Sequence, residues 1–130
     1  MIKAILFDYL GVIRKGHTLD QQVINQAKQL SKSFIVALAS NLPDQYLTAV
    51  LEETTLNTIF NPIFTSSSTG TTKPNSYFYT YILHEFGLLP EECLLIDDSP
   101  GNIAGAVAVG MHGIVYENAV KLELDLKSYL

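Results

Sequence analysis

Cysteine and basic side chains are the scarce components of this 130-residue chain. One cysteine, Cys93, excludes an intrachain disulfide, and a reducing cytoplasm is its natural compartment. His17, His84 and His112 show no metal-ligand spacing with it. Eight lysines and arginines stand against thirteen aspartates and glutamates, a formal net charge of −5, and the basic residues are scattered singly. No basic patch is therefore available to track nucleic acid, and an anionic surface is repelled by acidic membranes. No apolar run reaches the roughly 18 residues of a membrane span. The opening stretch MIKAILFDYL is interrupted by Asp8 and lacks a small-residue cleavage site, so a secretory leader is not expected.

The remainder has the composition of a compact globular protein, 48% apolar and 16% charged. A chain of this length buries roughly two-thirds of its unfolded surface. Five short apolar segments, 3–8, 34–40, 61–66, 93–97 and 113–116, read as strands. Most are continuous rather than alternating, as strands covered on both faces are. Helical stretches lie between them. Leu19, Val23, Ala27 and Leu30 form one stripe over 19–30. Pro43 suits the first turn of a helix through 53, and Asn75 or Ser76 caps another after Pro74. Ser99-Pro100 opens a further helix that Gly110 ends. SSSTGTT (66–72) reads as a polar loop, and LELDLKSYL at the end is compatible with a strand or a short helix. This alternation predicts an α/β fold, a doubly wound three-layer domain spanning 1–130 around a mostly parallel five-stranded sheet.

Ligands of such a sheet bind outside the carboxyl ends of its strands. The first strand delivers Asp8 there, the second Ser40 and Asn41, the fourth Asp97 and Asp98, and the loop after the third leads to Lys73. Three carboxylates at one edge call for a cation, since two unit charges about 4 Å apart repel by about 4 kcal/mol at an effective dielectric of 20. Mg²⁺ suits few carboxylates combined with phosphate and waters. Lys73, Ser40, the Asn41 amide and the helix N-terminus near 43 are candidate anion partners. A metal, a lysine and hydrogen-bond donors around one carboxylate meet the needs of phosphoryl transfer, with the carboxylate able to accept the phosphoryl group.

LFDYLGV, ALASN, TTKPNSYFY and LLIDDSPGNIAGAVAVGM, in that order, resemble the four motifs of the haloacid dehalogenase-like superfamily. The resemblance implies Asp8 as nucleophile and Mg²⁺ ligand, with Ser40 and Asn41 on the phosphoryl group. It implies Lys73 on both nucleophile and phosphate, and Asp98 as a direct metal ligand with Asp97 beside it. The Leu10 backbone carbonyl would serve the metal, and Asn102 would lie near the metal's waters. The implied activity is Mg²⁺-dependent hydrolysis of a phosphorylated substrate, small or macromolecular.

Two departures qualify that implication. Phosphatases of the family usually carry a second Asp where this chain has Leu10, and loss of a general acid/base removes about 10²–10⁴ in rate. Substrates with good leaving groups would suffer less. The dehalogenase branch also lacks that acid, but does not usually carry the Asp97-Asp98 pair. Between Asp8 and Ser40 there is room only for a flap and one helix, with no cap domain, so a neighbouring copy of the chain is a candidate roof. The alternative is a non-catalytic relative that binds metal, phosphate or a partner. Histidine titrates near neutrality, which makes His17 in the flap a candidate replacement donor beside its commoner role as an exposed residue. Tyr77, Phe78 and Tyr81 read as core and helix-face packing, and Cys93 as a buried small hydrophobe.

Overall fold

In the computed structural model, which describes residues 1–130, the apolar runs become the strands of one sheet. In chain order the elements are β1 (Ala4–Phe7), β2 (Arg14–Lys15), β3 (Thr18–Leu19), α1 (Gln21–Leu30), β4 (Ile35–Ala39), α2 (Asp44–Thr54), β5 (Ile63–Phe64), α3 (Ser66–Thr69), α4 (Ser76–Phe86), β6 (Cys93–Asp97), α5 (Pro100–Ala108), β7 (His112–Val115) and α6 (Ala119–Leu126). The sheet runs β5-β4-β1-β6-β7, parallel throughout, and β2-β3 is a separate antiparallel hairpin. Leu6 of β1 lies in register between Ala37 and Leu95.

Period-two alternation explains why the strands read as unbroken apolar runs. Ile5 and Phe7 join Val36, Leu38, Leu94 and Ile96 on one face, under α1, α2 and α6. Ala4 and Leu6 join Ala37, Ala39, Cys93 and Leu95 on the other, under α4 and α5. Each large side chain so buried contributes about 1.5–3 kcal/mol before the entropy of ordering it. Burial, with a smaller push from Glu92, raises the Cys93 thiol to about 11, leaving it a core hydrophobe. No helix is long and apolar enough to cross a membrane.

Helix ends follow local chemistry. Asp20 accepts from the N–H groups of Gln22 and Val23, Asn75 from Tyr77, Ser99 from Asn102 and Asn118 from Lys121. Three local expectations change and one left open is settled. Pro43 is extended (φ −73°, ψ 161°) and caps α2 from outside its first turn. The 66–72 stretch holds a single helical turn, α3, because Thr65 and Ser68 satisfy each other's backbone N–H and Gly70 closes the turn at φ 75°. The terminal segment is helical, since Ala119, Leu122 and Leu126 share one buried stripe. Tyr77 is 75% exposed, while Phe78 is buried and Tyr81 packs its edge on Phe64.

The second face is close-packed around the loop that carries Lys73. A Cβ on Gly105 of α5 would lie 2.8 Å from the Pro74 carbonyl oxygen and 3.0 Å from the Tyr79 ring. Helix propensity alone favours Gly105→Ala by about 1 kcal/mol. The backbone contact should win: we expect Gly105→Ala to lose roughly 1–3 kcal/mol, read as a lowered urea midpoint.

Candidate active site

Asp8 follows the last residue of β1 and stays in the ladder, its N–H donating to Ile96 O at 2.9 Å. The chain then winds tightly, because the Tyr9 carbonyl accepts from Val12, Ile13 and Arg14 at 3.3, 2.9 and 2.9 Å. Gly11 sits in that turn at φ +88°, and a Cβ there would fall 2.2 Å from Asp98 Oδ2. Glycine is required twice over, for the left-handed backbone and for the approach of Asp98.

Lys73 is the centre of the arrangement. Its side chain is 1% exposed, and its ammonium donates to Asp8 Oδ1 at 2.9 Å, Ala39 O at 2.6 Å and Asp97 Oδ2 at 2.6 Å. An ammonium has three donors, so all are placed. Asp97 is buried, with Oδ2 accepting also from Asn102 Nδ2 at 3.2 Å and Oδ1 from the Ser99 N–H at 2.9 Å. Both its oxygens are therefore occupied within the protein.

Asn41 plays a part that its sequence position does not announce. Its Oδ1 accepts the Lys73 N–H at 2.7 Å and its Nδ2 donates to Lys73 O at 3.1 Å, so the side chain clamps the lysine's backbone. Its own backbone N–H has no protein acceptor. Ser40 is buried, and its Oγ accepts the Leu42 N–H at 3.1 Å while keeping a hydroxyl proton to donate. The start of α2 is a poorer anion site than expected: the Asp44 N–H donates to Ser67 Oγ at 3.0 Å, and the Asp44 carboxylate stands in the first turn. Asn102 caps nothing with its side chain; it braces Asp97. His17 is exposed on the hairpin and does not line the site.

Asp8, Leu10, Ser40, Asn41, Leu42, Lys73 and Asn102 line an open cleft of about 230 Å³. Larger hollows lie elsewhere, beside α6 and α4, away from these groups. Leu10 projects an apolar side chain that is 47% exposed. One carboxylate oxygen from each of Asp8, Asp97 and Asp98 lies within 4.8 Å of the others. Against them stands one ammonium, leaving an excess of negative charge at the strand ends. Burial is the largest influence on Asp8 and outweighs the lowering pull of Lys73; with the Asp97 and Asp98 charges added, its carboxyl is pushed up to about 7.

The donor set fits a hard divalent cation. Asp8 Oδ2 and both Asp98 oxygens are free of hydrogen bonds, and the Leu10 carbonyl accepts none. Oxygen ligands of this kind suit Mg²⁺ better than a softer metal.

Known proteins align with this picture. The family model for haloacid dehalogenase-like hydrolases matches residues 21–110. The chain belongs to that family. The matched stretch contains Ser40, Lys73, Asp97 and Asp98 and starts after Asp8 and Leu10. Flavin mononucleotide hydrolase 1 of Arabidopsis thaliana is 40% identical over 63 residues, 48% of this chain and 26% of that protein. Phosphatases recur among the other curated relatives. The chain spans 26% and 36% of the length of the first two such relatives, well under two-thirds. An uncharacterised protein from Corynebacterium glutamicum shares the fold at a TM-score of 0.83 and 24% identity, over 98% of this chain and 94% of that one. A family enzyme from Bacteroides thetaiotaomicron, crystallised with magnesium and inorganic phosphate, does so at 0.78 and 16%, over 90% and 95%.

Two outcomes follow from the buried charges. Lys73→Ala strips Asp97 of its countercharge and should cost about 3–5 kcal/mol, with Asp97→Asn in the same chain recovering part of the loss in urea titrations. In metal-free protein the raised Asp8 value contributes stability that is complete below 3.8 and lost as pH rises through about 7, because the unfolded chain releases that proton first. Asp8→Asn keeps an acceptor for Lys73 and should flatten the fall of the urea midpoint across that window.

Proposed function

We propose that the chain is a Mg²⁺-dependent phosphohydrolase in which Asp8 takes the phosphoryl group of a phosphorylated substrate. The observation that carries this reading is the Asp8 carboxylate itself: it lines the cleft close to Asp98, with Oδ1 held by Lys73 and Oδ2 free of hydrogen bonds. Attack by a carboxylate splits one difficult displacement into two easier ones. Asp8, Asp98 and the Leu10 carbonyl would hold the ion, which when bound supplies charge neutralisation at the phosphoryl oxygens.

The remaining work falls to this chain's own residues. Lys73 aims the nucleophile and pulls its carboxyl down against the effect of burial, and Asp97 with Asn102 keeps Lys73 in place. Ser40 Oγ and the Asn41 N–H offer donors to the non-bridging phosphoryl oxygens. Asn41 and Lys73 share the cleft, so a phosphoryl oxygen reaching the ammonium has to compete with three acceptors. The site is open to water because only the β2-β3 hairpin and α1 separate Asp8 from β4. That suits a macromolecular phosphoester, or a roof supplied by a second copy.

One observation favours a second reading. Leu10 lines the cleft where relatives of the phosphatase type place an acid, which also fits a binding protein that holds metal and phosphate without turnover. Phosphate release from p-nitrophenyl phosphate decides between them. Under the first reading it requires Mg²⁺ and disappears in Asp8→Asn; under the second, calorimetry finds Mg²⁺ uptake with no release.

A further inference from the structure

Every side chain that could move a proton near Asp8 is already committed, Asp98 beside it being the ligand of the ion in the reading above. The cleft wall contains two titratable groups, Asp8 and Lys73. Asp8 is the attacking group. The three protons of Lys73 sit on Ala39 O, Asp8 and Asp97, and giving one up would leave Asp97 buried without its countercharge. Ser40, Asn41 and Asn102 are the other polar members, and none is an acid at neutral pH. His17 stands exposed on the hairpin outside the wall. The two remaining members of the wall, Leu10 and Leu42, are hydrocarbon.

Resting on the phosphoenzyme reading above, we propose that the substrates are acyl or aryl phosphates, and that the Asp8 phosphoenzyme outlives its own formation. In the first step an Asp8 oxygen forms a bond to phosphorus while the bond from phosphorus to the leaving oxygen breaks. The electron pair of that bond departs on the leaving group, as a carboxylate or phenolate, and no proton moves. An alkyl phosphate would have to expel an alkoxide, which the cleft cannot protonate. Leu10 and Leu42 offer the hydrocarbon body of an aryl or acyl group an apolar surface. In the second step water attacks the phosphorus, Asp8 leaves as a carboxylate, and the water's proton goes to solvent or to phosphate. No side chain takes that proton, so this step is the slow one.

The test compares p-nitrophenyl phosphate, acetyl phosphate, a series of substituted phenyl phosphates and a simple alkyl phosphate on the Mg²⁺-loaded protein and on Leu10→Asp. Intact-mass measurement of acid-quenched samples gives a second readout. The expected wild-type result is kcat/KM for aryl and acyl substrates at least about 10²-fold above the alkyl one, with a steep dependence on leaving-group acidity. A phosphoryl adduct should be visible during turnover and absent in Asp8→Asn. Leu10→Asp should raise the alkyl rate and clear the adduct. Wild-type protein that cleaves alkyl and aryl phosphates alike, or turns over without an adduct, overturns the proposal while leaving the phosphohydrolase reading intact. No phosphoryl uptake from any substrate by either protein overturns both. The wild-type leaving-group series decides the matter even if Leu10→Asp does not fold.

Discussion

The contact on which the rest of this structure depends is the three-way grip of the Lys73 ammonium on Asp8, Ala39 and Asp97. Those acceptors belong to the ends of β1, β4 and β6, so one side chain ties the three central strands at their carboxyl edge. A buried ammonium is tolerable only if its donors are all used and its charge is matched. Both conditions hold here, and they in turn make the buried carboxylates tolerable. The same group that closes the sheet end also orients the residue at which chemistry would occur.

Around that grip the roles of similar residues separate. Asp97 and Asp98 are adjacent in sequence, yet one is fully hydrogen-bonded inside the protein and the other is exposed and unpaired over Gly11. The first serves the lysine; the second is free for a cation. Asn41 likewise gives its whole side chain to the Lys73 backbone, leaving only its N–H toward the cleft. Gly105 and Pro74 fix the same loop from behind, through the close approach of α5. The site is thus held by contacts on three sides, each made by a different element. Bracing of this kind is what the proposed role of Asp8 would require.

Set against that rigidity, the mouth of the cleft is spare. Leu10 is apolar and half exposed, the hairpin is short, and nothing in the chain closes over the opening. Lys15 ties the hairpin to Asp20 at 2.5 Å and to the Tyr116 hydroxyl, anchoring it to the end of β7. A hairpin so tied leaves water access to Asp8, and water access weakens electrostatic contributions within a site.

Much of the fold was legible in the chain. Apolar runs covered on both faces, helical stripes and capping residues such as Asp20, Asn75 and Ser99 all act within a few positions of one another, and the sheet follows from their alternation. The placing of Asp8, Ser40, Asn41, Asp97 and Asp98 at strand ends, with Lys73 brought in by the loop before α4, was legible too, because a parallel sheet puts every such end on one edge. The helical turn at 66–69 was not, since it depends on a reciprocal Thr65–Ser68 bond within an otherwise loop-like composition. Nor were the occupied start of α2 or the clamp by Asn41. Sequence by itself determined which groups arrive at the site, through local periodicity and strand polarity. Only the tertiary structure decided what each group is left free to do, because hydrogen-bond capacity is consumed by partners tens of residues away.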